Sequence, residues 1–290
     1  MEQYYKASGK FSPLSILIFL LISTIILPLL AVAYAYSIWY MPIVYLAALM
    51  TVLFGLMTGY VTSSLVIKLG KVRNTTLALF MGFLASLMAL YFHWAFWTTL
   101  VGNSGMGYSL GDFGVTVSNV NLFQTLQLVL HPNELLNTIK EINAQGTWTL
   151  KGSVVSGTFL TVIWAIEALI VIICSTYMAY LEAKKPFSES NETWFKEKEV
   201  AVNLIEDKSA FILALEKAQY NILDTVNKME GTELSHTVLT LFYSDSGNFY
   251  LSAVNKMARV DENKKVAYSD DSFLEYILID AKQGQRLLSL

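Results

Sequence analysis

One carboxylate sits where a carboxylate is costly. Glu167 lies near the middle of an apolar run, Gly157 to Leu181, and an ionisable group in such a setting usually faces protein and has a partner. The chemistry open to it is binding of a proton, an ion or a small ligand. The alternative is a neutral acid that fixes helix register through hydrogen bonds to Ser or Thr. Counting along the other apolar runs at about 1.5 Å per residue puts Ser23, Thr24, Thr51 and Ser86 near the level of Glu167, and Trp164 lies one turn away on the same face. His93 is the one histidine in these runs and is expected several ångströms further out than Glu167.

No other arrangement carries chemistry. His93, His131 and His236 are far apart and Cys174 is the only cysteine, so neither a disulfide within the chain nor metal-ligand spacing is present. Phosphate-binding glycine loops, GxSxG and HExxH are missing. Pro186 to Asn191 has the outline of half a zinc ribbon without its cysteines. The acidic pairs Asp261-Glu262 and Asp270-Asp271 fall in expected turns, where solvated acids are ordinary. The reading is therefore of a protein without metal, cofactor or catalytic residues.

The elements that must position Glu167 follow from hydropathy. Hydrophobic residues make up 54% of the 290 and charged residues 15%, against about 25% charge in a soluble domain. The deficit lies in residues 1–186, with 9 Lys/Arg and 6 Asp/Glu, whereas the remainder carries 11 and 17. An acidic tail argues against nucleic acid, whose phosphates need a basic face.

Four runs are long enough for a hydrocarbon core of about 30 Å: about 13–39, 42–68, 75–97 and 157–181. The first opens on Ser12 and Pro13, good residues for a helix start, and is about twice the length of a signal-peptide core. Pro28 should kink it. Pro42 opens the second run, Gly70 is its expected C-terminal cap, and Asn74 should cap the third. Gly55, Gly59 and Ser63 recur every four residues, the small-residue spacing that lets backbones approach in lipid. Packing within the chain's own bundle is preferred to a dimerisation face. In the fourth run Phe159, Val162, Ile163, Ile166, Leu169, Ile170 and Ile173 form an outward apolar stripe, and Gly157, Thr161, Trp164, Glu167, Val171, Cys174 and Ser175 the opposite, bundle-facing one.

Basic residues set the expected orientation. Lys6 and Lys10, then Lys68, Lys71 and Arg73, then Lys184 and Lys185 all fall on one side. Both termini are expected in the cytoplasm, and the 98–156 loop outside. Within that loop the glycine-rich 98–119 should be irregular. Leu122–Leu130 and the helix begun by His131-Pro132 should form an interfacial lid.

The tail reads as a linker, 187–198, and an α+β domain, 199–290. A helix is expected over 209–227, then strands over 236–243, 249–258, 264–268 and 273–280, with turns at 245–248 and 261–263. Leu287, Leu288 and Leu290 should dock a short final helix. The fold class is thus an α-helical membrane protein, a four-helix transmembrane bundle with a small cytoplasmic α+β domain. The functional expectation is a non-catalytic anchor, scaffold or sensor component, in a bacterial inner membrane, whose tail binds a protein partner or a ligand, or whose chain self-associates. The alternative is a small transporter or channel component centred on Glu167.

Overall fold

The computed structural model describes residues 3–41, 44–105, 107–110, 113–146, 148–150, 153–229, 235–245, 247–260 and 266–290. The expected helix start at Pro42, the turn residue Ser246 and the turn at Asp261-Glu262-Asn263 lie outside these. The chain divides into a helical unit, Gly9–Lys184, and a sheet unit, Met1–Ser8 with Lys185–Leu290. Residues 3–8, assigned from sequence to the helical half, thus belong with the tail.

In the helical unit four helices are long and apolar enough to cross a membrane: α1 (Leu14–Trp39), α2 (Tyr45–Lys68), α3 (Thr75–Gly102) and, after the short α4 (Leu122–Leu130) and α5 (Pro132–Gln145), α6 (Gly157–Lys184). Helix α1 passes Pro28 by widening. Proline has no N–H to return to the carbonyl four residues back, and a π stretch at Ile22–Ile26 takes up the mismatch, with the Leu27 N–H donating to Ile22 O. Asn74 caps α3, its side chain accepting from Leu77 N at 2.9 Å. Gly70 does not end α2 with a left-handed residue; Lys71 takes that role, at φ 47°. A Cβ on Gly70 would lie 2.6 Å from Cβ of Ser15, so this glycine serves close approach of α1.

Helix α6 is the hub of the helical unit. Gly55 and Gly59 of α2 lie against it, where added Cβ atoms would meet Cα of Val171 at 3.1 Å and Cα of Ser175 at 3.1 Å. On α3, Gly82 faces α6 in the same way, 2.8 Å from Cα of Thr176, and Ser175 Oγ donates to Gly82 O at 3.0 Å. Small residues at this spacing let the helix backbones approach closely. Of the expected outward stripe, Phe159, Val162, Ile166, Leu169 and Ile173 are exposed, whereas Ile163 and Ile170 are half-buried, and Thr161 of the opposite stripe is exposed. Between α3 and α6 the glycine-rich stretch, expected to be irregular, instead holds a hairpin of β1 (Gly107–Leu110) and β2 (Phe113–Thr116), and a second hairpin follows α5, β3 (Trp148–Leu150) with β4 (Ser153–Val155). Tyr108, Leu110, Phe113 and Val115 are strand-forming types that outweigh the glycines.

The sheet unit opens with a small hairpin, β5 (Phe187–Ser188) and β6 (Thr193–Trp194), within the expected linker. Its main sheet is an antiparallel meander of β7 (Lys196–Val202), β8 (His236–Tyr243), β9 (Phe249–Val260) and β10 (Val266–Ile279). The single helix expected over 209–227 is broken. Helix α7 (Lys208–Glu216), capped by Asp207, ends where Ala218 turns to φ 56°, and a 3-10 turn follows at Tyr220–Thr225. The break lets Phe211 and Leu215 face the same core as Leu223 and Val226. Strand β10 runs straight through Asp270-Asp271, expected in a turn, because Asp270 pairs with Lys256 across the sheet at 3.3 Å and Asp271 with Lys208. Helix α8 (Ala281–Ser289) closes the core through Leu287, with Gly284 lying on the Phe249 ring.

The N-terminus adds to the β10 edge. Tyr5 N donates to Tyr276 O at 2.9 Å and Leu278 N to Gln3 O at 2.7 Å. The Tyr4 hydroxyl donates to Glu216 Oε1 at 2.7 Å. Burial, then that bond and the carboxylate's charge, push the Tyr4 phenol from 10.0 up to about 12. The folded chain therefore holds the neutral phenol. Its contribution is complete below pH 10 and is lost as pH rises toward 12. An ultraviolet titration of the full chain in detergent should show, by difference from Tyr4→Phe, a phenol ionising near 12. A difference centred near the ordinary tyrosine value would mean that the N-terminus is undocked.

Candidate functional site

The four long helices converge on Tyr34 of α1. Its ring is buried and stacks on Phe54 of α2 at 4.3 Å between centroids. Its hydroxyl lies 2.7 Å from Oγ1 of Thr51, also on α2. Thr51 donates its own proton to Ala47 O, so the phenol is the donor in that pair. The His93 ring of α3 lies 4.5 Å from the Tyr34 ring. Glu167 of α6 is within electrostatic range of the phenol. A phenol and an imidazole thus meet inside the helical unit, with the acid of α6 within electrostatic reach of the phenol.

Aromatic rings wall this cluster on the side toward the C-terminal end of α3. Trp164, one turn from Glu167, meets Trp94 edge-on at 4.8 Å and Trp97 at 5.8 Å. His93 is buried, and its Nδ1 has no hydrogen-bond partner among the described residues. Glu167 is half-buried, and no described residue hydrogen-bonds to its carboxylate.

The hydroxyl layer expected around Glu167 is distributed differently. Thr24 is exposed and donates to Leu20 O on its own helix. Ser86 donates to Phe83 O, and Ser63 to Tyr60 O. Ser23 is buried without a partner among the described residues. Ser23 precedes Tyr34 by eleven residues and so lies about 16 Å from it along α1, while Ser86 lies about 10 Å from His93 along α3. Of the hydroxyls singled out, Thr51 is the one joined to the Tyr34 cluster. Tyr34 itself was missed. Its signal is a period of small or buried residues, Leu27, Ala31, Tyr34 and Ala35, hidden in a run that is apolar all round.

The arrangement can hold a proton or orient a small cation against an aromatic wall. Two open clefts lie elsewhere, at the C-terminal end of α3. One, of about 270 Å³, is lined by Thr98, Thr99, Asn103, Gln124 and Gln127; the other, of about 470 Å³, by residues 117–121 with Asn103. Both linings are uncharged. No cluster of His, Cys, Asp or Glu with the makings of a metal site occurs among the described residues. No protein-family model, curated protein or solved structure matches the chain.

Proposed function

We propose that the chain is a four-span integral membrane protein that carries its sheet unit on the cytoplasmic face, as a non-catalytic anchor whose tail engages a protein partner. One observation carries the reading. Residues 3–5, which precede α1, are hydrogen-bonded to β10, which follows α6, and a chain whose two ends fold into one unit must cross a bilayer an even number of times. The basic residues at three helix ends support the cytoplasmic assignment. The apolar columns exposed on α1, α3 and α6 support contact with lipid. Helix α4 supports it as well, with Leu122, Phe123, Leu126 and Leu130 each more than half exposed and no charge along its length. A bacterial inner membrane suits the compact arrangement.

The electrostatic reach of Glu167 to Tyr34 favours a second reading, a transport component. Flux decides between them. In proteoliposomes, wild type and Glu167→Gln should leak protons and monovalent cations no faster than empty vesicles, and should unfold within about 0.5 kcal/mol of each other, because no bond to the carboxylate is lost. Flux through wild type that Glu167→Gln abolishes would replace the anchor with the transporter.

A further inference from the structure

The carboxylate of Glu167 is half-buried, and no hydrogen bond or ion pair reaches it from a described residue. An acid among apolar groups wants a partner in either charge state. Ionised, it accepts from donors or pairs with a cation; neutral, it has a proton to donate. Its neighbours on α6 are Ile163, Trp164 and Ile170, each one turn away and each half-buried. Residues three and four apart on a helix stand about 5–6 Å from one another. The acid therefore borders one aromatic and two aliphatic side chains.

Trp164 extends that aromatic surface onto α3. Its ring stands at 74° to Trp94 and 78° to Trp97, and those two stand at 89° to each other. Rings at such angles present faces in three directions, so a cation arriving beside the cluster meets the electron-rich face of one of them.

Depth makes the acid reachable. Helices α3 and α6 each have 28 residues, about 42 Å at 1.5 Å per residue, whereas a hydrocarbon core of about 30 Å takes about 20 residues. Counted from Thr75, just past Arg73, the core ends at about Trp94. Counted back from Lys184, it ends beside Trp164. The two counts are independent, and they end on rings whose centroids lie 4.8 Å apart. Tryptophan prefers the membrane interface. Glu167 then lies only one turn inside that boundary, within reach of a ligand dissolved in one leaflet.

We propose that Glu167 and Trp164, with Trp94 and Trp97 beside them, form a binding site for an organic ammonium ion with apolar substituents. The positive centre pairs with the carboxylate and lies against a tryptophan face; the apolar groups lie on Ile163 and Ile170. Other classes fit less well. A metal ion takes several oxygen ligands, and this site supplies one carboxylate. An anion meets the acid's charge, and a neutral apolar molecule leaves the acid without a partner. The inference rests on the reading that the four helices cross a bilayer. It adds a ligand to the anchor and calls for no flux.

Tryptophan emission of the full-length chain in lipid nanodiscs tests it, with hexyltrimethylammonium as the probe. In discs of phosphatidylglycerol, which has no ammonium group, wild type should respond saturably. Glu167→Gln should raise the half-saturation concentration at least tenfold and Trp164→Phe at least threefold, both with wild-type circular dichroism. The uncharged 1-heptanol should give no saturable response. Discs of phosphatidylcholine separate the sources of the ligand: an unchanged midpoint assigns the site to free ammonium compounds, and a raised one to competing lipid headgroups. No saturable response in wild type, or equal midpoints in wild type and Glu167→Gln, overturns the site and leaves the four-span reading standing. Tryptophan emission that acyl-brominated lipids fail to quench would overturn both.

Discussion

Gly82→Leu should abolish assembly of the helical unit, whereas Gly82→Ala should destabilise it by about 1–3 kcal/mol. A Cβ at this position would lie 2.8 Å from Cα of Thr176, 3.0 Å from Cβ of Ala179 and 3.0 Å from Ser175 O. Two of these are backbone atoms, so relief requires α3 and α6 to separate rather than a side chain to rotate. Separation would also break the bond from Ser175 Oγ to Gly82 O. In lipid, lost packing has no compensating hydrophobic gain. Gly102, at the C-terminal end of α3, has nothing within 4 Å of its virtual Cβ and is the control. Thermal unfolding of the purified chain in detergent should rank Gly102→Ala with wild type, Gly82→Ala below, and Gly82→Leu as unfolded or aggregated. Equal stability of Gly82→Leu and Gly102→Leu would remove the α3–α6 contact from the account.

Asn255→Ala should cost the sheet unit about 3 kcal/mol, more than deletion of a few buried carbons would suggest. Asn255 and Thr237 are 4% and 0% exposed, and they close a ring of hydrogen bonds with the segment before α7. Thr237 Oγ1 donates to Asn255 Oδ1 at 2.6 Å, Asn255 Nδ2 donates to Ile205 O at 2.9 Å, and Ile205 N donates to Thr237 Oγ1 at 2.8 Å. Removing the amide strands a buried hydroxyl proton and a carbonyl, each worth roughly 1–3 kcal/mol when unpaired. Because the three groups act as one network, Thr237→Val with Asn255→Ala should cost less than the sum of the two alone. Chemical denaturation followed by the circular dichroism of the full chain measures this. Strict additivity would show that the ring is not a unit.

The long helices were readable because length and hydropathy suffice for them: the ends expected at Trp39 and Lys68 coincide with those of α1 and α2, and Asn74 caps α3 as its type suggests. Which residues face inward was harder. In a run that is apolar all round, hydrophobic period carries no information, and the usable signal is recurrence of small residues. On α3 that series is Ala78, Gly82, Ala85, Ser86, Ala89 and then His93, all buried. Following it would have placed His93, rather than Ser86 alone, against the neighbouring helices.

Depth counting failed for a related reason. It started from helix ends estimated from hydropathy, and α3 continues to Gly102, five residues past the expected end. In the sheet unit β8 and β9 could be read from alternation, whereas β7 fell partly in the expected linker and β10 was expected as two strands, and the break at Ala218 carries no glycine or proline to announce it. The attachment of residues 3–5 to β10 pairs segments more than 270 positions apart, which no local pattern can report. That attachment puts residues 3–5 and β10 in one unit, and so on one side of any bilayer that the helices cross.

Sidedness can be measured directly in sealed, right-side-out vesicles with a membrane-impermeant maleimide. Three full-length variants in a Cys174→Ala background are needed: Lys6→Cys before α1, Asn133→Cys at the exposed start of α5, and Asp245→Cys between β8 and β9. Asn133→Cys should label in intact vesicles, while Lys6→Cys and Asp245→Cys should label only after permeabilisation. Labelling of Lys6→Cys and Asp245→Cys from opposite compartments would mean an odd number of crossings, and with it the N-terminal strand, the shared sheet unit and the four-span anchor would all be contradicted.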